Sequence, residues 1–154
     1  MEGIVCASTE DGFIKIFHID KKTLNVKNIL TKKGHEKKIT SLENIRNTKN
    51  KFVTRDNKNI KIWILNKEDN NYILDCQTVL KDLSEFEIIN LYSLNNSNII
   101  FTDGDNELFI LNSIYKAIAI FDIPGDRIRG LYQIESNDDN NNKFFVGKSK
   151  YLFF

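Results

Sequence analysis

Apolar residues along this chain fall in short runs bounded by polar turn residues, and within many runs they alternate with polar ones at the period of a half-buried strand. The run Phe13-Ile14-Lys15-Ile16-Phe17-His18-Ile19 keeps only Lys15 and His18 polar, and it follows Glu10-Asp11-Gly12, a turn whose glycine is free to take positive φ. Residues 3–9 before it and 24–30 after it complete a first group of three strands. A second group comprises 38–45, 51–55, 60–65 and 72–80, with Asp56-Asn57-Lys58-Asn59 as its tight central turn. A third comprises 87–94, 98–103, 107–112 and 115–121, and a fourth 127–134, 143–147 and 151–154. The pattern thus predicts fourteen strands. Runs 4–7, 99–101 and 117–121 are almost continuously apolar, which is expected of strands covered on both faces.

The groups repeat at a steady interval. Phe17, Trp63, Leu111 and Phe153 close the third strand of each group, at separations of 46, 48 and 42 residues. Four strands recurring every ~40–45 residues is the pattern of a β-propeller blade. No apolar stripe of period 3.6 runs beyond a couple of turns, which argues against an α/β arrangement. The expected fold is therefore all-β, one region over residues 1–154 with units near 1–30, 31–80, 81–121 and 122–154. Its first and last units lack a strand. A closed ring takes at least about four blades, so the region is expected to be part of a longer propeller, or else completed by a second chain. Two copies would supply 28 strands, enough for seven blades of four.

The second unit resembles the WD-repeat family. That family's blade carries Gly-His before the inner strand, Ser or Thr on the second strand, Asp in the following turn and Trp at the end of the third. Gly34-His35, Thr54, Asp56 and Trp63 match those positions. Asp56 lies one residue further from Trp63 than usual, leaving Asn57 at the usual spacing, and Ile64 replaces the Asp that gives the family its name. In the first unit Asp11 keeps the spacing to Phe17. In the third, Asp103 and Asp105 occupy the turn, Leu111 replaces Trp, and Lys81-Asp82 stands where Gly-His would be. The resemblance implies that His35, Thr54, Asp56 and Trp63 form a hydrogen-bonded network holding one blade together, since a buried imidazole, hydroxyl and indole each need a partner.

Charge narrows the partners. Twenty-two basic against 21 acidic side chains give a net charge of +1, which argues against a general nucleic-acid surface. Cys6 and Cys76 lie far apart without metal-binding spacing and read as reduced thiols of a cytosolic or nuclear protein. No basic-then-apolar leader opens the chain and no apolar run approaches the ~18 residues of a membrane span. Residues 137–143, Asn-Asp-Asp-Asn-Asn-Asn-Lys, read as a solvated loop insertion.

Neither a zinc set nor an EF-hand spacing is present, and no cofactor or metal is expected. His35, Thr54 and Asp56 could be mistaken for a hydrolytic triad, but a structural network accounts for all three. The expected function is a non-enzymatic scaffold that binds other proteins or peptides. The resemblance places the partner-binding loops on one face, with Lys33, Lys37, Arg55, Asp103, Arg127 and Lys148 as candidate contacts, in the basic stretch Lys32-Lys33-Gly34-His35-Glu36-Lys37-Lys38 and beyond. Two alternatives follow from the same resemblance. A substrate receptor for ubiquitin ligation often has Asp-x-Arg after the Trp, where this chain has Ile64-Leu65-Asn66. An RNA- or ribosome-associated propeller would need a net basic face.

Overall fold

A computed structural model of the chain describes residues 3–69, 71–125, 128–134 and 143–148, the backbone alone for 132–134 and 143–148. Among them run thirteen strands: β1 (Ile4–Ser8), β2 (Phe13–Ile19), β3 (Val26–Lys33), β4 (Ser41–Asn44), β5 (Lys51–Arg55), β6 (Ile60–Glu68), β7 (Asn71–Leu80), β8 (Ile88–Ser93), β9 (Ile99–Asp103), β10 (Glu107–Leu111), β11 (Ala117–Asp122), β12 (Ile128–Ile134) and β13 (Lys143–Lys148). They form four sheets of strictly sequential strands, β1-β2-β3, β4-β5-β6-β7, β8-β9-β10-β11 and β12-β13. The ladders are antiparallel, and β3, β7 and β11 each end a sheet instead of pairing with the next strand. The expected strand at 151–154 lies outside the described residues.

The period visible in the sequence has a backbone counterpart. In each of the first three sheets the ladder between third and outer strand shifts register immediately before Phe17, Trp63 or Leu111. The outer strand carries the extra residue there: Ile29, Gln77 and Ile118. A bulge at this recurring place bends and twists every outer strand alike. Side-chain oxygens also cap the turns between second and third strands. Thr9 Oγ1 accepts from Phe13 N at 2.9 Å, Asp56 Oδ1 from Lys58 N at 2.9 Å and Asn59 N at 2.7 Å, and Asp103 Oδ1 from Asp105 N and Glu107 N at 3.0 Å each.

Chain contacts divide the molecule into two compact units, Met1–Leu42 with Lys49–Lys81, and Glu43–Thr48 with Asp82–Phe154. In the first, Ile14 and Ile16 of β2 pack with Phe52, Trp63, Leu65 and Leu74, so one sheet covers its neighbour. Phe52 faces Trp63 across the β5–β6 ladder with their rings stacked at 6.4 Å. In the second unit Phe101 and Phe109, also register partners, stack at 4.5 Å, and Leu94, Ile100, Leu108 and Leu131 form a core. Every residue of β9 is buried, as expected for run 99–101.

The expectation fails for run 117–121. Ile118 and Ile120 of β11 are each 56% exposed and Phe121 50%. Outer strands have only one ladder partner and lie at the sheet margin, so an apolar run there does not imply cover. Strand β3 likewise starts at Val26, not Leu24, because Leu24 takes φ +57° in the turn that Asp20 caps.

Candidate functional site

The loop from Lys33 to Thr40 is held from several sides. Gly34 N and His35 N donate to Gly12 O at 2.8 and 3.0 Å, tying the loop to the β1–β2 turn. Gly12 has φ +84°, and a Cβ there would lie 2.1 Å from His35 O, so the approach requires glycine twice over. Lys61 Nζ donates to Gly34 O at 2.6 Å, and Thr40 N to Arg55 O at 2.9 Å.

From this loop the His35 side chain points inward. Its Nδ1 lies 2.9 Å from Asp56 Oδ2 and its Nε2 2.8 Å from Thr54 Oγ1, while Trp63 Nε1 donates to Thr54 Oγ1 at 2.7 Å. The directions follow from the donors and acceptors. An ionised carboxylate can only accept, so neutral His35 donates from Nδ1 to Asp56 and its bare Nε2 accepts from the Thr54 hydroxyl, whose oxygen accepts from the indole N–H of Trp63. Burial lowers the His35 pKa below its usual 6.5, against the opposing pull of Asp56, and Lys61 adds to the lowering. Burial pushes the Asp56 carboxyl up, but hydrogen bonds from Lys58 N, His35 and Asn59 outweigh it and leave the pKa below 3.8. A neutral imidazole beside an ionised carboxylate satisfies all four side chains.

This Asp–His–Thr line has the contacts of a catalytic triad without its access. Thr54 has 0% exposure and His35 1%, so a substrate carbonyl cannot approach the hydroxyl. Among the described residues no group of three His, Cys, Asp or Glu side chains could hold a metal ion, and no helix is long and apolar enough to cross a membrane. Burial raises the Cys6 pKa to about 11, which keeps the thiol protonated.

The candidate contact residues separate into surface and interior. Lys33 and Lys37 are exposed; Lys33 Nζ donates to Asp11 O at 2.5 Å and lies 5.0 Å from the Phe13 ring centroid. Lys38 pairs with Glu10, and Lys58 is exposed beside the Asp56 turn. Arg55 and Asp103, expected on the surface, are buried at 7% and 0% exposure. Both end a central strand flanked by ladders on both sides, and the Asp103 carboxylate is turned into its own strand junction, where it caps the turn. Arg127 lies outside the described residues, and Lys148 is placed only by its backbone in β13.

Ser84 was not anticipated. Its hydroxyl donates to Asp103 Oδ2, so in the second unit it, not Lys81-Asp82, meets the turn carboxylate as His35 does in the first. The detectable signal was spacing: Ser84 precedes Asp103 by 19 residues and His35 precedes Asp56 by 21. Asn90 Nδ2 donates to Thr102 Oγ1 at 2.8 Å, giving the threonine of this sheet its own partner.

No protein-family model matches the chain, and no curated protein matches it. Among solved structures, the β-propeller domain of Cps50 (Swd1) from Myceliophteria thermophila is similar with a TM-score of 0.69 at 16% identity. The match covers 84% of this chain and 40% of that one, so the likeness extends over less than half of the neighbour's chain. With that likeness beside the sequential antiparallel sheets, the chain has the all-β fold of part of a β-propeller.

Proposed function

We propose that the chain is a non-enzymatic scaffold of WD-repeat type that presents the Lys33–Lys38 loop and its neighbouring turns to another protein or peptide. The observation that carries this reading is the inward anchor of that loop. His35 is buried and hydrogen-bonded at both ring nitrogens, while Lys33, Glu36, Lys37 and Lys38 on either side of it remain exposed. A loop fixed before the partner arrives loses little conformational entropy on binding.

The display surface contains Lys33, Lys37, Lys38 and Lys58 interspersed with Glu10, Asp11 and Glu36. Arg127 and Lys148 are proposed as partner contacts from the sequence alone, apart from this surface. Asp103 acts from inside, by holding the turn that follows its strand, and Arg55 is buried at the end of β5. Alternating signs suit a partner with mixed charges better than a polyphosphate backbone. Placement in the cytosol or nucleus accords with the two free cysteines.

Affinity purification with mass spectrometry, comparing the natural chain with a Lys33→Glu, Lys37→Glu, Lys58→Glu variant, tests the surface. The variant is expected to keep its far-UV spectrum and melting temperature and to lose a defined set of partners. An unchanged partner set would discard this face.

A further inference from the structure

The 81–87 connection joins β7 to β8 and carries Ser84. Its hydroxyl donates to Asp103 Oδ2 and accepts from Phe86 N at 3.0 Å. The other oxygen of Asp103 holds the β9–β10 turn through Asp105 N and Glu107 N. One serine proton therefore ties the connection to a carboxylate with 0% exposure.

The surroundings are acidic. Asp82, Glu85 and Glu87 stand two residues before, one after and three after Ser84, and all three are exposed. Burial, followed by the charges of Asp103, Asp105, Asp122 and Glu85, raises the Glu107 pKa, so negative charge is already concentrated at this end of the sheet. Ser84 itself is half-buried, and Phe86 is 45% exposed.

We propose that Ser84 is a phosphorylation site for an acid-directed protein kinase, and that phosphate there detaches the 81–87 connection from Asp103. A kinase whose substrate groove is basic would read the carboxylates at positions 82, 85 and 87 once local opening frees the hydroxyl. Ser84 Oγ attacks the γ-phosphorus of ATP. The new O–P bond forms as the bond to the β-phosphate oxygen breaks, ADP leaves, and the hydroxyl proton passes to the kinase's base. The product has lost the donor that Asp103 needs. In its place stands a group of charge about −1.5 to −2, next to a buried carboxylate, in a field that repels it. The closed connection cannot re-form around that pair of anions.

The test treats the folded chain with ATP and an acid-directed kinase, maps phosphate by mass spectrometry, and follows amide exchange. A free peptide of residues 78–90 and a Ser84→Ala chain serve as controls. Phosphate is expected on Ser84 in both chain and peptide and to be absent from that position in the variant. Exchange over 82–88 should rise at least about tenfold while β5 and β6 stay unchanged. Three results would overturn the proposal: a peptide modified while the folded chain is refused, neither modified at Ser84, or phosphoserine formed with exchange over 82–88 unaltered.

Discussion

Thr54 lies at the middle of a line of hydrogen bonds, accepting one from Trp63 and donating one to His35. Valine has nearly the same shape but neither function, so Thr54→Val leaves the indole N–H and an imidazole nitrogen buried without partners. It should cost about 1–3 kcal/mol in urea unfolding, with the native far-UV spectrum preserved. Acid should act on the same line. The pKa values of His35 and Asp56 are both lower folded than unfolded, so the unfolded chain binds the protons more readily. Their contribution is complete above pH 6.5. It declines as pH falls below 6.5 toward the folded His35 value, and Asp56 adds a second loss below 3.8. Unfolding free energies between about pH 8 and about pH 5 should decrease for the natural chain and change much less for His35→Asn. A flat profile for the natural chain would mean that His35 is not held neutral. At this scale the sequence was informative where polar types are rare in strands: His, Thr, Asp and Trp at fixed spacing pointed to residues that do touch. It misled at Arg55 and Asp103, because a charged side chain at a strand end reads as solvated whether or not its strand is central.

Strands and turns were legible in proportion to how local their causes are. β2 and β5 have the bounds read from alternation, since polar turn residues delimit both. β6 runs on to Glu68 because β7 pairs with it along its whole length, a long-range cause that periodicity does not carry. The exposure of β11 is another such case. Its five uncharged residues Ala117–Phe121 look like a core strand until their place at the margin is known. Ile120→Lys should leave stability within about 0.5 kcal/mol of the natural chain and reduce concentration-dependent association in light scattering. A large drop in melting temperature would show instead that Ile120 is buried. Gly12 acts in the opposite sense, as a small residue with a large role. Gly12→Ala must strain a positive φ and displace the His35 carbonyl, so a loss of at least about 2 kcal/mol is expected.

For the molecule as a whole, the repeat read from Phe17, Trp63 and Leu111 corresponds to sheets that each begin and end within one sequence period. The interval was visible because the same packing problem is solved repeatedly with similar residues. In repeat architectures each unit contacts only its neighbours, so the units present do not encode what fills the remainder of a ring. Successive sheets are separate ladders, not stretches of one continuous sheet. Cross-strand backbone NOEs in an isotope-labelled sample test it most directly. Contacts are expected along β4-β5-β6-β7, such as Thr54 with Lys61 and Ile62 with Thr78, and along β8-β9-β10-β11, such as Tyr92 with Ile100 and Ile110 with Ala119. No ladder should join β7 to β8. A run of backbone NOEs pairing β7 with β8 would make the two sheets one and contradict the account.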